Sequence, residues 1–173
     1  EVAILDGSRR VLQQAGLGFG NLAVVIHGTT LATNAIIERK GARVALIATE
    51  GFRDVIEIAD ESRYDQYDLA IEKPQVLVPR QLRFTVPERM DVDGNVHLVL
   101  DEAAVEKVAK EIKRLKIDAV AVALIHSYAN PAHERRVAEI LADEYPECTI
   151  SLSCVVLPEY REYERAVTTL VDA

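Results

Sequence analysis

The sequence predicts an α/β fold, a mainly parallel sheet flanked by helices with an antiparallel hairpin excursion. Three observations predict it. Short continuous apolar runs such as Ala119 to Ile125 have the length and composition of strands buried on both faces. Amphipathic helical stretches alternate with these runs, as crossovers between parallel strands require. Leu82, Phe84 and Val86 alternate with polar residues before Asp93-Gly94, and Val96, Leu98 and Leu100 alternate after it, which is a hairpin pattern.

The elements follow in order. Glu1 to Ala15 reads as a helix (Val2, Leu5, Val11, Leu12, Ala15) stopped by Gly16. Leu22 to Ile26 reads as a first buried strand, Leu31 to Lys40 as a helix ended by Gly41, and Arg43 to Ala48 as a second strand. A further helix covers Phe52 to Ala59 after Gly51. Asp60 to Glu88 is mixed and polar, and Pro74 to Leu100 is expected as an antiparallel excursion beside the main sheet. Asp101 caps an amphipathic helix to Leu115 that carries Ala104, Val105, Val108 and Ile112 on one face. Ala119 to Ile125 is a third strand, Pro131 to Glu144 a helix capped by Asn130, Thr149 to Val156 a fourth strand, and Glu159 to Ala173 the last helix. There is no internal repeat.

Composition narrows the function classes. The 173 residues are 49% hydrophobic and 28% charged, which is globular and not disordered. Lys and Arg number 20 against 28 Asp and Glu, so the net charge of -8 disfavours nucleic acid and anionic lipid as partners. Cys148 and Cys154 form neither a disulfide framework nor a zinc motif, and fit a reducing compartment. No apolar run reaches the roughly 20 residues of a membrane helix, and Glu1 to Arg10 lack a secretory pattern, so a cytoplasmic location is expected. The chain opens without Met and closes inside a helical pattern. It is expected to be one α/β domain over 1–173, cut from a longer chain, with its flap at about 60–100.

In open α/β sheets ligands gather beyond the carboxyl ends of the strands. The segments there are His27-Gly28-Thr29-Thr30, Thr49-Glu50-Gly51, His126-Ser127-Tyr128 and Leu157-Pro158-Glu159. The first is the best candidate for an anion: a glycine permits a close turn, N–H groups open the next helix, and Thr29 and Thr30 add hydroxyls. The alternative is that either threonine only caps the helix. Neither GxxxxGK[ST] nor GxGxxG is present. His126 reads as a satisfied rim or core group, and His97 and His133 as solvent-facing. The four histidines lack metal-ligand spacing, so no metal site is expected. Glu159 to Arg165 reads as a charged, solvated helix, with Glu162 and Arg165 on one face. Cys154, beside Val155 and Val156, reads as an inert buried thiol. Asp60-Glu61-Ser62-Arg63-Tyr64 carries polar and aromatic groups suited to a lip.

Three ordered motifs resemble the hydantoinase A/5-oxoprolinase family. They are His27-Gly28-Thr29-Thr30-Leu31-Ala32-Thr33-Asn34-Ala35-Ile36-Ile37-Glu38-Arg39-Lys40-Gly41-Ala42, Thr49-Glu50-Gly51-Phe52-Arg53-Asp54, and Leu157-Pro158-Glu159-Tyr160-Arg161-Glu162-Tyr163-Glu164-Arg165-Ala166-Val167-Thr168-Thr169. They span nearly the whole chain and correspond to that family's N-terminal region.

The resemblance implies an actin/hexokinase-like (ribonuclease H-like) lobe of an ATP-dependent enzyme. Such enzymes use ATP and Mg²⁺ to phosphorylate an amide or carbonyl oxygen, converting a poor electrophile into one with a good leaving group. It implies substrates such as 5-oxoproline, N-methylhydantoin or a small ketone, and a hydantoinase B-like partner subunit. The ATP-using subunit of an acetone or acetophenone carboxylase is one alternative, and a non-catalytic nucleotide- or partner-sensing module is another. The family's opening Asp-x-Gly-Gly-Thr-x-Thr-Asp hairpin and its second lobe are not in this sequence, so the isolated chain is expected to be inactive and to bind no ATP by itself. Cys154 and Val155 stand where the family often has a His-Glu pair. By resemblance, His27, Thr29, Thr30 and Arg165 become catalytic candidates, and Gly28, Asn34, Glu50 and Glu162 candidates for binding substrate or phosphate. Thr29 and Thr30 would orient an oxyanion, His27 would donate a hydrogen bond or proton, and Arg165 would neutralise charge.

Overall fold

The computed structural model describes residues 2–25, 30–60, 67–68, 70–72 and 74–173. The chain divides into two compact units, Glu1–Lys40 and Gly41–Ala173.

In the first unit, helix α1 spans Val2–Gln14. Gly16 ends it at φ +68, and the Leu17 N–H donates to the Leu12 carbonyl at 2.9 Å. That closure needs a left-handed residue, which glycine adopts without a Cβ clash. Helix α2 spans Leu31–Glu38, begins after Thr30 and ends on the left-handed Arg39. The expected first strand is absent: Leu22 to Val25 are irregular, with Val24 71% exposed. A strand is stable only when a ladder takes up its backbone groups, and among the described residues nothing pairs with this run. Ile26 lies outside the described residues.

The second unit holds the sheet. Its elements are β1 (Val44–Thr49), α3 (Val55–Ile58), β2 (Arg83–Val86), β3 (Arg89–Met90), β4 (Val96–Leu98), α4 (Glu102–Arg114), β5 (Ala119–Ala123), α5 (Ala132–Glu144), β6 (Thr149–Leu152), α6 (Ser153–Val156) and α7 (Glu162–Asp172). The strands run β2-β1-β5-β6, every pair parallel. Ala119 to Val122 are buried throughout, so β5 is covered on both faces. The core combines Leu46 and Ile47 of β1, Val105 and Ile112 of α4, Val137 and Leu141 of α5, and Ala166 and Leu170 of α7. Each Val, Leu or Ile side chain among them contributes roughly 1.5–3 kcal/mol when fully buried. Asp101 caps α4 as expected, accepting the Ala104 N–H at 3.0 Å.

Two differences from the expected layout bear on function. Arg83–Val86 is not part of the excursion. It joins the main sheet in parallel, with Leu46 opposite Arg83 and Thr49 opposite Val86. Only β3 and β4 form the antiparallel pair around Gly94, whose φ is +82. Its alternating Leu82, Phe84 and Val86 fit either assignment, because alternation does not tell an edge strand of a parallel sheet from a hairpin arm. The fourth strand also stops at Leu152, where the chain turns into the short α6.

Candidate functional site

Strand register sets the stage. Thr49 stands opposite Val86, Ala48 opposite Ala123, and Val122 opposite Leu152. The residues just past these pairs therefore meet at one level beyond the carboxyl edge of the sheet. Buried polar side chains collect there.

Glu134 is wholly buried in the first turn of α5. Its Oε1 accepts the Leu124 N–H at 2.8 Å and the Ser153 hydroxyl at 2.6 Å, while Oε2 accepts the Cys154 N–H at 2.8 Å. This last pair of bonds explains the end of β6: Ser153 and Cys154 satisfy their polar groups on the carboxylate, and the chain bends into α6. A buried carboxylate is tolerated only when its oxygens are bonded in this way.

Arg165 of α7 is 1% exposed. Its Nε donates to Ser153 Oγ at 3.2 Å, Nη1 to the Glu159 carbonyl at 2.6 Å, and Nη2 to the Leu124 carbonyl at 3.1 Å. Its guanidinium also stands 5.6 Å from the centre of the Tyr128 ring. Burial pushes the Arg165 pKa below its ordinary value, and the nearby carboxylates of Glu134 and Glu162 oppose that push.

A second buried cluster adjoins the first. The Thr49 hydroxyl donates to Glu88 Oε1 and accepts the Ile125 N–H at 2.9 Å. The other Glu88 oxygen meets His133 Nδ1 at 2.8 Å. Leu124 and Ile125 are thus held by Thr49, Glu134 and Arg165, from three separate elements. The next residue, His126, sits at φ +54. Its Nδ1 is 3.4 Å from the Tyr128 hydroxyl, and the two rings meet edge to face. Nearby, Asp91 is held below the ordinary carboxylate range, first by hydrogen bonds from Asn95 and to a lesser degree by His126. The hairpin is fastened here, since Asn130 Nδ2 donates to the Gly94 carbonyl at 2.8 Å.

The structure sorts the expected site residues. His27, Gly28 and Thr29 lie outside the described residues, as do residues 61–64 of the expected lip. Thr30 occupies the position before α2, yet its side chain makes no capping bond. Its Oγ1 instead accepts the Asn34 side-chain amide at 3.3 Å, so these two candidates form one exposed pair. In the second unit, Glu50 follows β1 with its side chain exposed, and its carbonyl accepts Arg89 Nη2 at 3.1 Å. Glu162 opens α7, exposed. Arg165, three residues on, turns inward, so the charged run is not a uniformly solvated helix. His133 is likewise buried, not solvent-facing. Burial and the Glu134 charge push the Cys154 thiol up to about 12, in keeping with an inert group.

Glu88, Glu134 and Ser153 go unread in the sequence, Thr49 and Ser127 figure there only as members of rim segments, and His133 only as a solvent-facing residue. A signal existed for two of them. Glu134, Val137 and Leu141 recur at helical spacing, and so do His133, Val137 and Ile140. Both polar residues therefore share the apolar face of α5.

The chain matches the model of the hydantoinase/oxoprolinase N-terminal region over residues 1–145. It is 36% identical to caprolactamase subunit alpha of Pseudomonas jessenii, over 86% of this chain and 22% of that protein. It is 34% identical to the acetophenone carboxylase gamma subunit of Aromatoleum aromaticum, over 87% of this chain and 22% of that protein. With 5-oxoprolinase 1 of Arabidopsis thaliana it shares 32% identity, over 99% of this chain and 16% of that protein. The crystal structure of ATP-dependent caprolactamase from Pseudomonas jessenii superposes with a TM-score of 0.85 at 33% identity, covering 99% of this chain and 26% of that one. The chain thus spans about a quarter or less of the length of these relatives.

Proposed function

Since the chain belongs to the family of hydantoinase/oxoprolinase N-terminal regions, we propose that it is the N-terminal lobe of a longer, ATP-dependent enzyme that opens a cyclic amide. The likeness in sequence and backbone to an ATP-dependent caprolactamase carries this reading. An amide carbonyl is a poor electrophile. Phosphorylating its oxygen supplies a leaving group, and a protein assists that transfer chiefly by positioning and by charge stabilisation.

In this reading the lobe has the actin/hexokinase-like architecture and works with the rest of its chain and a hydantoinase B-like subunit in the cytoplasm. The Thr30 hydroxyl and Asn34 amide are neutral hydrogen-bonding groups that suit a phosphoryl oxygen, with His27, Gly28 and Thr29 as their sequence neighbours. Glu50 and Glu162 contribute exposed carboxylates at the ends of their elements. Arg165 acts from beneath, by fixing Leu124 and Tyr128. The described residues contain no group of three or more His, Cys, Asp or Glu fitted to a metal ion, and no step is assigned to Mg²⁺. The isolated chain is proposed to be inactive.

The test is a turnover screen of the full-length protein, with and without its partner subunit, against 5-oxoproline, caprolactam, hydantoins and small ketones. ATP consumption coupled to ring opening is expected. Identity to an acetophenone carboxylase subunit favours a second reading, activation of a ketone oxygen for carboxylation. Bicarbonate-dependent consumption of ketone, with cyclic amides untouched, would select it.

A further inference from the structure

We propose that His126 is a ligand-facing residue of this lobe, presented by the buried network as a hydrogen-bond donor to the ligand oxygen that gains negative charge. The proposal rests on the function proposed above and names a residue for it.

The first observation is the backbone. Four non-glycine residues have positive φ among the described residues: Arg39, Ala59, Lys116 and His126. Arg39 and Ala59 cap the ends of α2 and α3, and Lys116 follows the cap of α4. Positive φ is common where a helix ends. His126 has no such reason. It lies in the turn between β5 and α5, where a β-carbon is disfavoured and glycine would fit without cost.

The second observation is what holds it there. The two residues before His126 have their backbone groups taken by three buried side chains: Leu124 N–H by Glu134, Leu124 carbonyl by Arg165, and Ile125 N–H by Thr49. After it, the His126 carbonyl accepts the N–H groups of Ala129 at 2.9 Å and Asn130 at 3.2 Å. An unfavourable conformation persists only where its surroundings over-determine it, and such places gather at functional sites.

The third is the ring itself. It is half-buried at the carboxyl edge of a central strand, where ligands of open α/β sheets bind. Taking the Tyr128 hydroxyl as donor to Nδ1 at 3.4 Å leaves Nε2 as the ring nitrogen that donates to a ligand oxygen. Arg165 supports Tyr128 from below. A donor fixed in advance at a developing oxyanion lowers the barrier without reorganisation.

The experiment compares wild type with His126→Gly, His126→Asn and the control His97→Gln in the full-length protein with its partner subunit. Melting temperature, kcat and KM for ATP-dependent opening of a cyclic amide are measured. Glycine and asparagine both accept the left-handed backbone, so neither variant should melt below wild type. We expect kcat to fall about 100-fold in His126→Gly, with KM within about threefold of wild type, and free imidazole to restore part of the loss. His97, exposed on β4, should be replaceable without effect. Wild-type turnover together with equal turnover by His126→Gly overturns the proposal alone. A wild type without ATP-dependent turnover overturns the function proposed above and this inference with it.

Discussion

Glu134 and Arg165 hold one residue from both sides: the Leu124 N–H donates to Glu134 Oε1 at 2.8 Å, and the Leu124 carbonyl accepts Arg165 Nη2 at 3.1 Å. The two side chains also share Ser153, whose hydroxyl donates to Glu134 and accepts from Arg165. Charge, backbone and hydroxyl thus form one unit without a direct ion pair within 4 Å between carboxylate and guanidinium.

Removing one member should cost more than the worth of its bonds. Glu134→Ala leaves the N–H groups of Leu124 and Cys154 unpaired and the Arg165 charge without its nearest buried counterpart. A loss of about 3–5 kcal/mol is expected. Urea unfolding of the variant against wild type measures it. A loss below about 1 kcal/mol would mean that water or a neighbour replaces the carboxylate.

The pair should be coupled. In a double-mutant cycle of Glu134→Ala and Arg165→Met, the combined loss should fall short of the sum by roughly 1–3 kcal/mol, because each change already removes one of the partners that Ser153 and Leu124 share between the two side chains. Additive losses would show that the two grip Leu124 independently.

Thr49→Val keeps the shape of the side chain and removes both of its hydrogen bonds, the one to Glu88 and the one from Ile125. Stability should drop by about 1–3 kcal/mol. The amide of Ile125, read by hydrogen exchange, should lose protection well before that of Leu46 in the core of β1.

Cys154 should resist alkylation. Its thiol is pushed up to about 12 by burial and by Glu134, so almost no thiolate exists near neutrality. Iodoacetamide at pH 8 should label it far more slowly than it labels the urea-unfolded chain. The sign of the accompanying stability change follows. Between the ordinary cysteine value near 9 and about 12, the folded chain keeps a proton that the unfolded chain has lost. This contribution is complete below pH 9 and declines as pH rises through that window.

Gly94→Ala should loosen the hairpin. Its φ is +82, and an added Cβ would meet the Ala129 carbonyl oxygen and Asn130 Cβ at 3.3 Å. A loss of about 1–2 kcal/mol is expected, with faster proteolysis between Asp91 and Asn95 as the local readout.

Periodicity carried most of the architecture. The runs Val44–Ala48 and Ala119–Ala123 are apolar enough to require burial on both faces, and Asp101 with the stripe Val105, Val108 and Ile112 marks α4 at both levels. Where local pattern was silent, long-range pairing decided. Leu22 to Val25 are as apolar as a strand, but no described neighbour pairs with them. Arg83–Val86 alternates like a hairpin arm, yet β1 accepts it in parallel. Val155 and Val156 favour a strand by propensity, and Glu134 overrides that preference by taking Ser153 and Cys154 into a turn. The site was harder to read because its members are distant in sequence. Leu157–Thr169 pointed to Arg165 as a residue of interest, but nothing local says that its guanidinium faces inward toward a carbonyl in another loop. Glu134 and His133 share the apolar face of α5, a signal that the solvent-facing reading of His133 passed over, whereas Glu88 gains meaning only once Thr49 and His133 stand beside it.

Two of the three contacts that hold Leu124 and Ile125 join positions far apart along the chain, 76 residues for Thr49 with Ile125 and 41 for Leu124 with Arg165. Closing such long loops is slow, and local contacts form first. The bend that carries His126 is therefore expected to be fixed late in folding, once α7 has docked. An intermediate that lacks α7 would leave the Leu124 carbonyl without its Arg165 partner, and the bend less firmly set.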